Sequence, residues 1–254
     1  MRCTAFAVLL ALPVCAADLK PKTVEAFDRY VREAEQRQGE SKTFLWADEA
    51  EDRVRREKAG EIIVEPFRGK AVTPVPNGLI HDWVGSVFIP GATLARTLAL
   101  VQDYDHHKDV FKPEVIDSRV ISHTGNDFHI YLRLLKKKVI TVVLNSEHEV
   151  KYTQLDKTRW RSVSRSTKIA EVDQAGKPGE REKPPGTGEG FLWRLNSYWR
   201  FEERDGGTWV ECEAISLTRD IPTGLGWIVQ PIIRDLPRES LLNTLRSTRP
   251  ALTK

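Results

Sequence analysis

The sequence predicts an α+β fold in which a long antiparallel meander packs against an amphipathic C-terminal helix. Three observations carry this expectation. Six alternating runs follow one another at about 114–123, 126–136, 138–154, 158–172, 190–204 and 207–219; short turns join most of them, so neighbours pair antiparallel. The last segment, "GLGWIVQPIIRDLPRESLLNTLRSTRP", can set Ile232, Ile233, Leu236, Leu241, Leu242 and Leu245 on one helical face. A sheet of that length must bury one face, and this helix is the only large apolar partner the sequence offers.

The chain begins with "MRCTAFAVLLALPVCAADLK". A basic residue, an apolar run from Ala5 to Val14 and the small residues Cys15-Ala16-Ala17 have the order of a secretory signal peptide, cleaved between Ala16 and Asp18. The run is shorter than the roughly 20 apolar residues a membrane span needs. Val14 sits where a lipidation motif at Cys15 wants a small residue, which argues against a lipid anchor. The expected organisation is a signal peptide over 1–17, a helical extension over 18–60 and a main domain over 61–254, exported to the periplasm or secreted. Removing the signal leaves Cys212 as the only cysteine of the mature chain, so no internal disulfide can form and the fold must rest on its core. A net charge of +3 with 30% charged residues of interspersed sign excludes a nucleic-acid binder.

In "KPKTVEAFDRYVREAEQRQGE" Val24, Phe27, Tyr30, Val31 and Ala34 recur at helical spacing, and Gly39 ends the helix. A more polar helical run, "ADEAEDRVRREKAGEI", ends at Gly60. "EIIVEPF" is a short strand, and "RGKAVTPVPNG", broken by Pro74, Pro76 and Gly78, reads as a loop. "GLIHDWVGSVFIP" is a strand and "GATLARTLALVQDYD" a helix with Leu94, Leu98 and Val101 on one face. "DQAGKPGEREKPPGTGEG" is a surface loop by composition. Its "GTGEG" has no strand before it or helix after it and is no phosphate loop. The final helix is secure over about 238–248 and extends back towards Trp227 across Pro231 and Pro237, which interrupt the pattern.

Two hairpins show which side chains share a face. Across an Asp205-Gly206 turn, Trp199 meets Cys212, Phe201 meets Val210, Ser197 meets Ala214 and Arg200 meets Glu211, so apolar faces apolar and charge faces opposite charge. Phe191, Trp193, Leu195, Trp199 and Phe201 then form one wall. With Asp156-Lys157 as the turn of the preceding hairpin, Ile140, Val142, Leu144, His148, Val150 and Tyr152 share a face with Arg161, Val163, Arg165 and Ile169. Ser162, Ser164 and Ser166 join Glu147, Glu149 and Lys151 on a wet face. Arginine is almost never buried unpaired, so Arg161 and Arg165 either reach solvent at the rim or face an anionic occupant.

The stretch "GLIHDWVGSVFIPGATLARTLALVQDYDHHKDVFKPEVIDSRVISHTG" resembles the opening of START-like (SRPBCC) domains, the superfamily of polyketide cyclases, coenzyme Q-binding proteins and plant lipid binders. A first strand, Val84 to Ile89, leads to a helix, Thr93 to Asp103; an aromatic and acidic break, Tyr104 to Phe111, precedes the "P-x-V" strand at Pro113-Glu114-Val115. The C-terminal helix resembles the one that ends such domains. The resemblance covers 79–249 and leaves 18–60 without counterpart. It implies a helix-grip: a curved antiparallel sheet wrapped around the C-terminal helix, enclosing a cavity for a hydrophobic small molecule or lipid. Transient contact with a membrane is a further expectation for such a carrier.

The densest polar cluster, Asp103, Asp105, His106, His107 and Asp109, lies in that break. Adjacent histidines on a helix diverge by about 100° and none follows at i+4, so a metal is not expected and both histidines are read as solvated. No nucleophile elbow, phosphate loop or dinucleotide fingerprint occurs, and no cofactor is expected. The resulting expectation is a carrier with Trp193, Trp199 and Phe201 in apolar contact with the ligand and Tyr152, His148, Arg161 and Arg165 about a polar or acidic head. The alternative is a cyclase- or hydrolase-type enzyme with His148 or a nearby carboxylate as acid–base group, and a third reading is a structural module whose cavity is filled by its own side chains.

Overall fold

The computed structural model describes residues 17–137, 141–220 and 226–253. The segment read as a signal peptide, 1–17, lies outside the described residues apart from Ala17. So do Ile140 and the side chains of Ile232 and Ile233.

Helices α1 (Pro21–Glu40) and α2 (Glu51–Lys58) precede strands β1 (Ile62–Pro66), β2 (Val72–Val75) and β3 (Gly78–Pro90). Helices α3 (Leu94–Gln102) and α4 (His107–Val110) lead into β4 (Val115–Thr124), β5 (Asp127–Lys137), β6 (Thr141–Gln154), β7 (Arg159–Asp173), the two-residue β8 (Arg181–Glu182), β9 (Arg194–Arg204) and β10 (Gly207–Arg219); α5 (Gly226–Leu252) closes the chain. All pairings are antiparallel in the order β1-β3-β10-β9-β7-β6-β5-β4, with β2 on β3 and β8 on β7. The segment read as a loop at 68–78 is thus partly a hairpin. Pro76-Asn77 makes its two-residue turn, with Asn77 at φ 55°, the conformation such a turn demands of its second central residue.

The sheet is strongly curved. Leu241 and Leu245 of α5 sit directly over Gly85 of β3, where an added Cβ would lie 2.7 Å from Leu245 Cδ1. One turn away on the same helix, Asn243 donates to Glu114 (2.7 Å) just before β4, and Ser240 receives Lys136 of β5 (2.6 Å). A flat sheet would hold β3 and β5 about 24 Å apart at its usual strand spacing, more than twice a helix diameter. The sheet therefore wraps the helix, and the architecture is a helix-grip.

The expectation that α5 alone covers the sheet is corrected. Phe27, Val31 and Ala34 of α1 pack on Ile80, Trp193, Tyr198, Ile215 and Leu217 on the outer face. Leu45 and Ala47 cover Phe88 and Trp209, and Trp46 covers Ile63 and Val84. Both faces of β3 and β10 are consequently buried.

Beneath this outer cover lies a buried polar layer. Arg37 pairs with Glu213, which also accepts from Gln38 (2.8 Å). Tyr30 donates to Asp82 (2.8 Å), Glu211 receives Arg200 (2.8 Å) and the Trp46 backbone N–H (2.6 Å), and Ser86 donates to Glu57 (2.9 Å). Burial pushes Glu57 up from 4.5 to about 8, Glu211 from 4.5 to about 7 and Asp82 from 3.8 to about 7. Each carboxyl holds its proton more tightly folded than unfolded, so the folded state binds more protons between the two values and stability falls as pH rises through that window. The melting temperature is expected to decline from pH 5 to pH 8.5, and less steeply in Glu57→Gln. An equal decline in that variant places the titration elsewhere.

Candidate functional site

Between α5 and the concave face lies a mainly apolar cavity of about 290 Å³. This is close to the lower end of the roughly 300–1,000 Å³ found for small-molecule sites. Its walls are Ile130 and Leu132 of β5, Val142, Leu144 and Val150 of β6, Trp199 and Phe201 of β9, and Cys212 and Ala214 of β10; Leu236 and Leu241 of α5 roof it. The β9–β10 register is the one the sequence predicts, with Trp199 on Cys212, Phe201 on Val210 and a two-residue turn at Asp205-Gly206 whose φ values are 57° and 73°. Trp199 and Phe201 stack with centroids 6.1 Å apart.

Of the expected ligand-facing residues, Tyr152, His148, Trp199 and Phe201 lie on this wall, whereas Trp193, Arg161 and Arg165 do not. Strand β9 begins only at Arg194. The alternation does not extend back through Trp193, which packs outward against the cluster beneath α1. The arginines turn outward because the β6–β7 turn is longer by one residue than the sequence reading assumed. Leu155 N–H donates to Arg159 O (2.9 Å), and the Asp156 carboxylate caps the loop by accepting from Thr158 N (2.8 Å) and Arg159 N (2.9 Å). Tyr152 then faces Ser162 and Val150 faces Ser164, so the serines line the cavity and Arg161, Val163 and Arg165 point out. Arg165 pairs with Glu35 of α1 (2.5 Å). An irregularity between Glu147 and His148 restores the parity, so that Ile169 lies opposite Ser146.

The polar groups of the cavity are mostly uncharged, and several bond one another, although Ser162 Oγ has no partner among the described residues. Tyr152 donates to Val101 O (3.2 Å) and receives Tyr104 (2.9 Å). Its neighbour His107 is not solvated as expected: it is buried between Tyr104 and Phe111 and bonds Val101 O through Nε2 (3.2 Å). His106 does face solvent and bonds Asp103 (2.8 Å). Burial lowers both His107 and His148 to about 4, so each is an uncharged imidazole at neutral pH. At one end of the cavity Lys136 pairs with Glu114. Burial would raise that carboxyl, but Lys136 and the hydrogen bonds of Asn243 and Ser240 outweigh it and hold it low. The Cys212 thiol is buried and pushed well up, the opposite of an activated nucleophile. Among the described residues, no three His, Cys, Asp or Glu side chains are grouped to hold a metal. Nor is any helix there long and apolar enough to cross a membrane.

His107, Tyr104, Ser162, Ser164, Glu114 and Lys136 were not among the expected wall residues. The alternate serines of β7, small side chains at every second position, carried a signal for the inner face of a curved sheet, and Ser162 and Ser164 line it. A second cleft, about 790 Å³, opens on the outer face beside Arg37, Trp46, Arg53, Phe67 and Arg200. Its cationic and acidic side chains nearly balance, and it lacks the apolar lining of the inner cavity.

No family model matches the chain, and no curated protein matches it in sequence. Solved structures similar in chain course include a STAR-related lipid transfer protein from Xanthomonas axonopodis (14% identity over 73% of this chain and 100% of that one, TM-score 0.49). Human STARD10 is 8% identical over 77% of each chain, with a TM-score of 0.44. The di-domain ARO/CYC StfQ from the steffimycin biosynthetic pathway is 10% identical over 68% of this chain and 51% of that one, also at 0.44.

Proposed function

We propose that the protein is an exported carrier that holds a hydrophobic or amphipathic small molecule between the sheet and α5. The observation that supports this most is the cavity itself, whose described wall is aliphatic, aromatic and hydroxylic and whose one charged pair among the described residues is internally neutralised. An enzyme acting at His148 is the less favoured reading. Ser146 spends its only proton on Leu132 O (3.1 Å), so it accepts from His148 Nε2 (3.1 Å), the reverse of a base activating a nucleophile.

Filling the cavity tests the proposal. Ser164 lies between Val150 and Ser197 on the wall, and Ser164→Phe places a ring in the ligand's space. Affinity for an apolar fluorescent probe should fall roughly tenfold or more, the scale of about 1.4 kcal/mol of overpacking. Arg165→Met, on the outer face, should leave it unchanged. Equal affinity in wild type and Ser164→Phe would place the probe elsewhere.

Ala17 N–H donates to Gly188 O (2.6 Å) and Leu19 N–H to Gly186 O (2.8 Å), so a mature chain starting at Ala17 would have its end held by the fold. Intact mass of the exported protein should correspond to a start at Ala17 or Asp18. A mass retaining Met1 would contradict cleavage.

A further inference from the structure

We propose that the cavity selects an uncharged ligand carrying a hydroxyl or N–H donor, which it reads through the Nδ1 atom of His148. This rests on the carrier reading and names the chemical class of its cargo.

The proton count around His148 fixes the polarity of the ring. The Ser146 hydroxyl has one hydrogen, and Leu132 O, a carbonyl that can only accept, takes it at 3.1 Å. The 3.1 Å contact between Ser146 Oγ and His148 Nε2 must then run the other way, with Nε2–H donating. Ser146 is fully buried, so no water competes for its hydroxyl. An uncharged imidazole protonated on Nε2 carries a bare lone pair on Nδ1. Burial supports the uncharged state at neutral pH. Among the described residues no group bonds Nδ1, and the ring stands on the cavity wall. An acceptor on the cavity wall with no donor from the protein favours a ligand that brings one, such as a hydroxyl.

The same wall disfavours anions. Among the described residues the only cationic side chain lining it is Lys136, and Glu114 already holds it while Asn243 and Ser240 complete that cluster. A ligand carboxylate entering there meets the Glu114 carboxylate, and at His148 it meets a lone pair. The arginines that the sequence offered as partners for an acidic head lie outside.

Three ligands of equal chain length test this: dodecanol, dodecyl methyl ether and dodecanoate, titrated at pH 7.5 against a fluorescent apolar probe. Dodecanol should bind about three- to tenfold tighter than its methyl ether, the fold equivalent of one neutral hydrogen bond. It should bind at least about tenfold tighter than dodecanoate. Two variants assign the reading atom. His148→Phe should bring the alcohol-to-ether ratio close to one. Ser146→Ala, which leaves the ring in place but frees its tautomer, should lower the ratio because an Nδ1–H form now serves the ether oxygen. Melting curves of both variants establish that they remain folded. Equal binding of alcohol and ether in wild type overturns the proposal, as does dodecanoate binding as tightly as dodecanol. A ratio unchanged in both variants also overturns it. If neither the probe nor any of the three ligands binds, the carrier reading fails with it.

Discussion

Arg37→Ala is expected to lower the unfolding free energy by about 3–5 kcal/mol at pH 7.5, the usual result of removing one partner from a buried ion pair. Arg37 reaches from α1 into the outer polar layer, where it pairs with Glu213 and lies 3.6 Å from Asp82. Those carboxylates are 1% and 2% exposed, so removing the guanidinium leaves buried charge without its main partner. The guanidinium also stacks on Phe67, 4.1 Å from the ring centroid. A contrast with Arg165 isolates the effect of burial. Arg165 also leaves a helix–sheet ion pair, with Glu35, but its side chain is 52% exposed, and Arg165→Ala should cost no more than about 1 kcal/mol. The double replacement Arg37→Met with Glu213→Leu should recover much of the loss, because an apolar pair needs no compensation. Urea unfolding of the four proteins checks the set. Equal losses for Arg37→Ala and Arg165→Ala would mean that the N-terminal extension contributes surface contacts only.

Leu245→Ala is expected to cost about 2–5 kcal/mol, the range for deleting a fully buried leucine side chain. Leu245 is 0% exposed and sits in the main core with Val64, Val87 and Leu241. Gly85 faces it, and the missing Cβ there is what lets α5 approach β3 so closely. The strand backbone cannot follow a truncated side chain inward, so the cavity left behind stays open. Leu242, only partly buried against the same core, should cost less on the same substitution. Thermal unfolding of the two variants distinguishes them, and equal losses would contradict the close approach at Gly85.

The concave half of the fold was legible because its signals are local. The β9–β10 register follows from Asp-Gly at the turn and from matched pairs on either side. The period of α5 follows from its leucines. The cavity's position then follows from the sheet having to close over that helix. What escaped is non-local or hinges on a single residue. At the β6–β7 turn, reading two loop residues instead of three exchanged the faces of Arg161 and Arg165 with those of Ser162 and Ser164. The Asp156-x-Thr158 pattern, whose carboxylate caps the loop, was the local clue to the longer turn. Trp193 looked like a wall residue because alternation was carried past the start of the strand. His107 was grouped with its polar neighbours, although Tyr104 and Phe111, three before it and four after it, mark the apolar face on which it lies. The outer cover by α1 could be read as an amphipathic stripe but not assigned a partner, since nothing in residues 18–60 says which face of a sheet built from residues 62–219 receives it.

The central claim is that the cavity between the sheet and α5 holds an apolar cargo. Native mass spectrometry of the protein purified without detergent from its exported fraction tests it most directly, with Ser164→Phe purified in parallel. The account predicts a bound small molecule on wild type, released by organic solvent and uncharged at neutral pH, and its loss from Ser164→Phe. An unliganded wild type that also fails to take up dodecanol, or a cargo retained undiminished by Ser164→Phe, would contradict it.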